Sequence, residues 1–139
     1  LYFSEVNLGS FKINMSNFSH NFDKLLENAS KLPMDSDYKS YTIVASRSHM
    51  SNETEQFIKD KKKKHDNIEL ISRGSSLKLC MVAEGKAKCY PRYAPTMEWD
   101  TAAGHAICLN AGFDVIDYVT KKPMIYNRKN LLNNWFIVE

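Results

Sequence analysis

The chain has 139 residues, 43% of them hydrophobic and 25% charged, which suits one soluble-type domain with a packed interior. A net charge of +3 is too mild to argue for nucleic acid, and it leaves room for small anionic ligands. No apolar run approaches the roughly 20 residues that a membrane-spanning helix needs.

In chain order, residues 1–13 alternate apolar and polar side chains around Asn7-Leu8-Gly9-Ser10, which predicts a hairpin. The chain opens on Leu1 and directly on a strand pattern, so this end is expected to be cut from inside a larger protein. Residues 17–32 carry Phe18, Phe22, Leu25, Leu26 and Ala29 at helical spacing and predict a helix, with residues 33–40 as a polar connector. Strands are then expected at 41–46, 68–72, 86–90, 115–118 and 135–138, and helices at 52–64, 76–84 and 100–111. This alternation predicts an α/β fold with a largely internal sheet. The run Lys61-Lys62-Lys63-Lys64 falls at a helix C-terminus, where cations suit the macrodipole and solvent. Cys80, Cys89 and Cys108 are odd in number and unpaired by any close spacing, and Cys80 and Cys108 sit among apolar residues, so buried free thiols are expected rather than a zinc site.

Four places could carry chemistry. Asp100, at the start of a helix in Trp99-Asp100-Thr101-Ala102-Ala103-Gly104, reads either as a helix cap or as a carboxylate ligand for a hard cation such as Mg²⁺. Gly74-Ser75-Ser76-Leu77-Lys78 joins a strand to a helix and offers hydroxyls, N–H groups and Lys78 to an anion. Tyr90-Pro91-Arg92 is expected to end a strand at Pro91 and to aim Arg92, whose planar fork suits phosphate. His49 lies in a loop after a strand, where α/β sheets place their ligand crevice. His20, His65 and His105 have no supporting context. If the strand ends share one side of the sheet, His49, Ser75, Arg92 and Asp100 form a phosphate-handling wall.

Three stretches together resemble one family: Ser75-Ser76-Leu77-Lys78-Leu79-Cys80-Met81-Val82-Ala83-Glu84-Gly85-Lys86-Ala87, Tyr90-Pro91-Arg92, and Pro95-Thr96-Met97-Glu98-Trp99-Asp100-Thr101-Ala102-Ala103-Gly104-His105-Ala106. They are similar to the 3′(2′),5′-bisphosphate nucleotidases, the CysQ-type branch of the inositol monophosphatase superfamily. The tail from Tyr126 to Val138 resembles that branch as well, with Asn134 standing where it usually has Pro. Residues 41–138 carry most of the likeness, and residues 15–40 match poorly.

The resemblance implies an enzyme that takes the 3′-phosphate from 3′-phosphoadenosine 5′-phosphate, a by-product of sulfate assimilation, giving AMP. It implies a lithium-sensitive cytoplasmic enzyme that uses two or three Mg²⁺ when complete, with peripheral attachment at the inner membrane and homo-oligomerisation left open. By matching position, Asp100 resembles the metal-binding Asp of the Trp-Asp-x-Ala-Ala-Gly motif. Ser75, Lys78, Arg92 and His49 match substrate-binding positions. The family's remaining carboxylate ligands, in an Asp-Pro-Leu/Ile-Asp-Gly-Thr motif and a separate Glu, are absent. The chain therefore reads as the C-terminal half of an αβαβα sandwich with a central, mostly parallel sheet. Residues 1–40, a strand hairpin and a helix, would be a remnant of a missing N-terminal lobe or the junction to it, and residues 41–139 the substrate-binding lobe. The chain alone is expected to be inactive, with that N-terminal lobe and the small-molecule substrate as its partners and no nucleic acid. An inositol phosphate phosphatase and a non-catalytic binding or oligomerisation module are the alternatives.

Overall fold

The computed structural model describes residues 1–34, 40–46 and 50–139. The N-terminal alternation forms the expected hairpin: β1 (Tyr2–Glu5) pairs antiparallel with β2 (Gly9–Lys12), with Tyr2 opposite Lys12 and Glu5 opposite Gly9. Gly9 has φ +108°, a conformation that L side chains resist. The Glu5 carboxylate accepts from the backbone N–H of Asn7 at 2.8 Å, so the reversal is held from within.

The helix expected over residues 17–32 does not form. A 3-10 turn at Met15–Asn17 and a short helix α1 (Phe22–Glu27) take its place. Asn21 caps α1 by accepting from Lys24 N at 3.0 Å, and the Asn28 amide donates to Lys24 O at 2.9 Å. Residues Ser30–Leu32 then become β3, antiparallel to β2 with Ser10 opposite Leu32. The open ladder of β2 supplies backbone partners there, and Phe18 and Phe22 stay exposed instead of forming a buried stripe.

From Tyr41 the chain builds a βαβ unit: β4 (Tyr41–Ala45), α2 (Asn52–Lys62) and β5 (Ile68–Ser72), the strands parallel with Tyr41 opposite Ile68. Ser51 caps α2, accepting from Thr54 N at 3.3 Å. There follow α3 (Leu77–Ala83), β6 (Tyr90–Arg92), α4 (Glu98–Asn110), β7 (Val115–Asp117) and β8 (Phe136–Val138). The strand expected at 86–90 is displaced along the chain. Lys88 and Cys89 bond to β4 (Lys88 N to Thr42 O, 2.7 Å; Val44 N to Cys89 O, 3.0 Å), and β6 proper begins at Tyr90. Pro91 lies within it, opposite Ile137, rather than ending the ladder.

β5 is parallel to β4, and Cys89 bridges parallel to Ile43 just before β6. β8 is antiparallel to both β6 and β7. Thus β5, β4, β6 and β7 share one direction and β8 opposes them. The layers follow from burial. α3 packs on β4, β6 and α4, and α4 packs in turn on β1 and β2, so the two helices lie between the hairpin sheet and the mixed sheet. Val44, Leu79, Val82, Val115, Phe136 and Val138 fill this main core, with Leu32 reaching in from β3. On the opposite face α2 buries Ile58 against Ile43 and Cys89. Neighbouring Ile43 and Val44 therefore face different layers, as a strand covered on both sides requires. Gly104 lets α3 and α4 approach: a Cβ there would sit 3.0 Å from Leu79 Cδ2.

Cys80, Cys89 and Cys108 are buried free thiols, with burial pushing Cys80 up to about 11 and Cys108 to about 12. In the lysine run, Lys62, Lys63 and Lys64 are exposed, while Lys61 donates to the Tyr41 hydroxyl at 2.9 Å. Among the described residues no helix is long and apolar enough to cross a membrane.

Candidate active site

A cavity of about 740 Å³ opens where the C-terminal ends of β4, β5 and β6 meet the first turns of α3 and α4. This is the edge at which open α/β sheets hold ligands. Ser75, Lys78, Arg92 and Asp100 all line it, together with Ser46, Arg73, Tyr90, Thr96 and Thr101, and Phe136 from β8. His49 lies outside the described residues.

Ser75 holds φ +43°, in the left-handed region, which tightens the turn from β5 into α3. One turn on, Lys78 is only 4% exposed. Its Nζ donates to Arg73 O at 3.1 Å and lies 5.3 Å from the centre of the Tyr90 ring. Burial lowers the Lys78 pKa, and the nearby Arg92 charge lowers it further. Arg92 Nη2 donates to Pro95 O at 3.3 Å, while Nε is buried and finds no hydrogen-bond partner among the described residues. An unmet buried donor costs about 1–3 kcal/mol, a cost that an anion in the cavity would remove. Burial pushes the Tyr90 phenol up to about 12, with the Arg92 charge working against it.

Asp100 is not the helix cap. α4 starts two residues earlier than expected, at Glu98, after Met97. Asp100 sits at the third position and reaches back, its Oδ2 accepting from Met97 N at 2.8 Å. The carboxylate is exposed at the cavity and is the one acidic group among the described lining residues. It fits a divalent cation as a single hard oxygen donor. It does not make a site alone, because among the described residues no three His, Cys, Asp or Glu side chains gather as a metal cluster.

Sequence reasoning missed two arrangements. Glu98 points away from the cavity, accepting from Asn127 N at 2.7 Å and Arg128 Nε at 2.9 Å. Burial would raise its pKa, yet these donors hold it below the usual carboxylate range. His105, given no role from sequence, is buried between Asp114 (Nε2 to Oδ1, 2.7 Å) and the Tyr126 hydroxyl (Nδ1, 2.9 Å) and does not line the cavity. The partners of Glu98 lie 29 and 30 positions along the chain, and those of His105 lie 9 and 21 positions along, beyond the reach of a local spacing pattern.

Residues 14–137 match the profile of the inositol monophosphatase family. The chain is 44% identical over 96 residues to the 3′(2′),5′-bisphosphate nucleotidase CysQ of Salmonella typhimurium, covering 69% of this chain and 37% of that protein. The crystal structure of CysQ from Bacteroides thetaiotaomicron, a bacterial member of the inositol monophosphatase family, superposes with a TM-score of 0.91 at 48% identity. That match takes in 99% of this chain and 52% of the other. Mycobacterium tuberculosis SuhB shares the fold at 19% identity and a TM-score of 0.54, over 99% of this chain and 46% of that one. The chain thus spans about half, or less, of the length of these relatives, and it belongs to the inositol monophosphatase family.

Proposed function

We propose that this chain is the substrate-binding half of a Mg²⁺-dependent phosphatase that releases the 3′-phosphate of 3′-phosphoadenosine 5′-phosphate, leaving AMP. The observation that carries this reading is the convergence of Lys78, Arg92 and Ser75 with the exposed carboxylate of Asp100 on one cavity. The likeness to proteins named 3′(2′),5′-bisphosphate nucleotidase supports it.

Lys78 and Arg92 would hold the phosphates, Arg92 through its fork and Lys78 as a compact charge whose position is already fixed by Arg73 O and Tyr90. Such preorganised cations need no rearrangement as charge develops. The Ser75 hydroxyl would add a hydrogen bond at the mouth of α3. Asp100 would hold Mg²⁺, which when bound supplies the positive charge that polarises the phosphoryl group. Further metal ligands, and the group that prepares the attacking water, would come from an N-terminal lobe to which residues 1–40 form the junction. Without that lobe the chain is inactive in this reading, and with it the enzyme recycles a by-product of sulfate assimilation in the cytoplasm.

Phosphate release tests this directly, using the chain alone and the complete protein with both halves present. The complete protein should hydrolyse 3′-phosphoadenosine 5′-phosphate in preference to inositol 1-phosphate, and the chain alone should hydrolyse neither. Preference for inositol phosphate, or no turnover by the complete protein, would overturn the reading.

A further inference from the structure

The first turn of α4 is held from its far side by a bracket of polar groups, buried at Glu98 and Asn133 and partly buried at Arg128. Glu98 accepts from the backbone N–H groups of Asn127 at 2.7 Å and Arg128 at 3.3 Å, and from Arg128 Nε at 2.9 Å. The other arm of Arg128, Nη2, donates to Leu132 O and to Asn133 Oδ1, each at 3.0 Å. Fixing that oxygen fixes which way the Asn133 amide faces. Its Nδ2 then lies 2.9 Å from Met97 O, 3.0 Å from Thr101 Oγ1 and 3.2 Å from Thr96 Oγ1. Met97 is the residue whose N–H donates to Asp100 Oδ2. The backbone closes the frame through Glu98 N to Leu131 O at 2.9 Å and Asn133 N to Thr96 O at 2.8 Å.

Glu98, Arg128 and Asn133 line no part of the cavity. Glu98 and Asn133 are 8% and 5% exposed. As a means of fastening a loop to a helix this is a poor choice, since an apolar cluster of equal volume commonly holds as well or better than a buried ion pair. What the polar bracket adds is direction. It turns one carboxylate of the first turn, Glu98, inward and leaves Asp100, two residues on, facing the cavity with one oxygen tied to Met97.

We infer that the Arg128–Glu98–Asn133 bracket is the positioning element for the Asp100 carboxylate and thereby sets the divalent-cation affinity of the site. This rests on the reading of Asp100 as a metal ligand. Groups that orient a ligating side chain typically change metal affinity by about 10- to 100-fold when removed.

The test is Mn²⁺ binding to the complete protein without substrate, followed by electron paramagnetic resonance, beside thermal melting and metal-free nucleotide binding. Three variants are compared: Arg128→Met, Arg128→Lys and Asp100→Asn. Arg128→Lys keeps a charge beside Glu98 but has no second arm for Asn133, and it carries the test if Arg128→Met fails to fold. Both Arg128 variants should weaken Mn²⁺ binding by about tenfold and change nucleotide affinity by less than about twofold, with Asp100→Asn weakening Mn²⁺ at least as much. If Asp100→Asn binds Mn²⁺ as wild type does, the metal reading fails and takes the inference with it. If Asp100→Asn is impaired while the folded Arg128 variants keep wild-type affinity, the bracket is merely structural and the inference alone is overturned.

Discussion

The two ends of α3 hold buried charge in opposite ways. At its C-terminal end Glu84, 2% exposed, accepts from the Tyr2 hydroxyl, from Lys12 Nζ at 3.0 Å and from Lys86 Nζ at 2.6 Å. Burial would raise the Glu84 pKa, but these donors hold it below the usual range, and burial beside Glu84 raises the pKa of Tyr2. At the N-terminal end Lys78 is nearly as buried, yet among the described residues it has a carbonyl and a ring for partners and no carboxylate. Arg92 beside it keeps a buried N–H without a partner among the described residues. A charge saturated by its own protein is scaffolding and ties the hairpin to α3. A pair of cations left, among the described residues, without a paired carboxylate costs stability, and folds keep such arrangements where a ligand completes them.

Breaking the saturated end should have the larger effect on stability. Glu84→Ala leaves Tyr2, Lys12 and Lys86 without their shared acceptor. The two lysines can turn to water, so the loss should be about 2–3 kcal/mol, below the full value for a sealed pair. Chemical denaturation measures it, and a loss under about 0.5 kcal/mol, the range of an ordinary surface change, would show that the cluster does not fasten the hairpin. The open end should respond with the opposite sign. Lys78→Met keeps the apolar stem and removes a buried cation that has no carboxylate partner among the described residues, so stability should hold or rise by about 1 kcal/mol in the same experiment. A clear loss of stability would mean that Lys78 is scaffolding after all and would erase the contrast.

Much of this was legible in the sequence, for definite physical reasons. Alternation over residues 1–13 and the apolar run Tyr41–Ala45 gave strands because side-chain period and burial are local properties. The four candidate residues on the described chain line one cavity because each follows a strand end or opens a helix on the same sheet edge. What escaped is non-local. Ser30–Leu32 joins a ladder whose partner lies twenty residues back, and this overrode a helical spacing that looked sound. Met97 has no capping side chain of the usual kind, so nothing local marks the start of α4 at Glu98, two residues before the expected start, and of the two readings open for Asp100 the cap falls away. Asn134, where the resembling family has Pro, donates to the buried Asp117 at 2.9 Å, a partner 17 positions away. The partners of Glu98 lie some thirty positions along the chain.

Binding of 3′-phosphoadenosine 5′-phosphate to the complete protein, measured by calorimetry without metal, tests the contrast between the two ends most directly. Lys78→Met should weaken binding by about 10²-fold, the scale on which losing a buried charge-assisted contact acts, while Glu84→Gln should bind as wild type does. Wild-type affinity in Lys78→Met, or an equal loss in both variants, would contradict the assignment of the open end of α3 to phosphate.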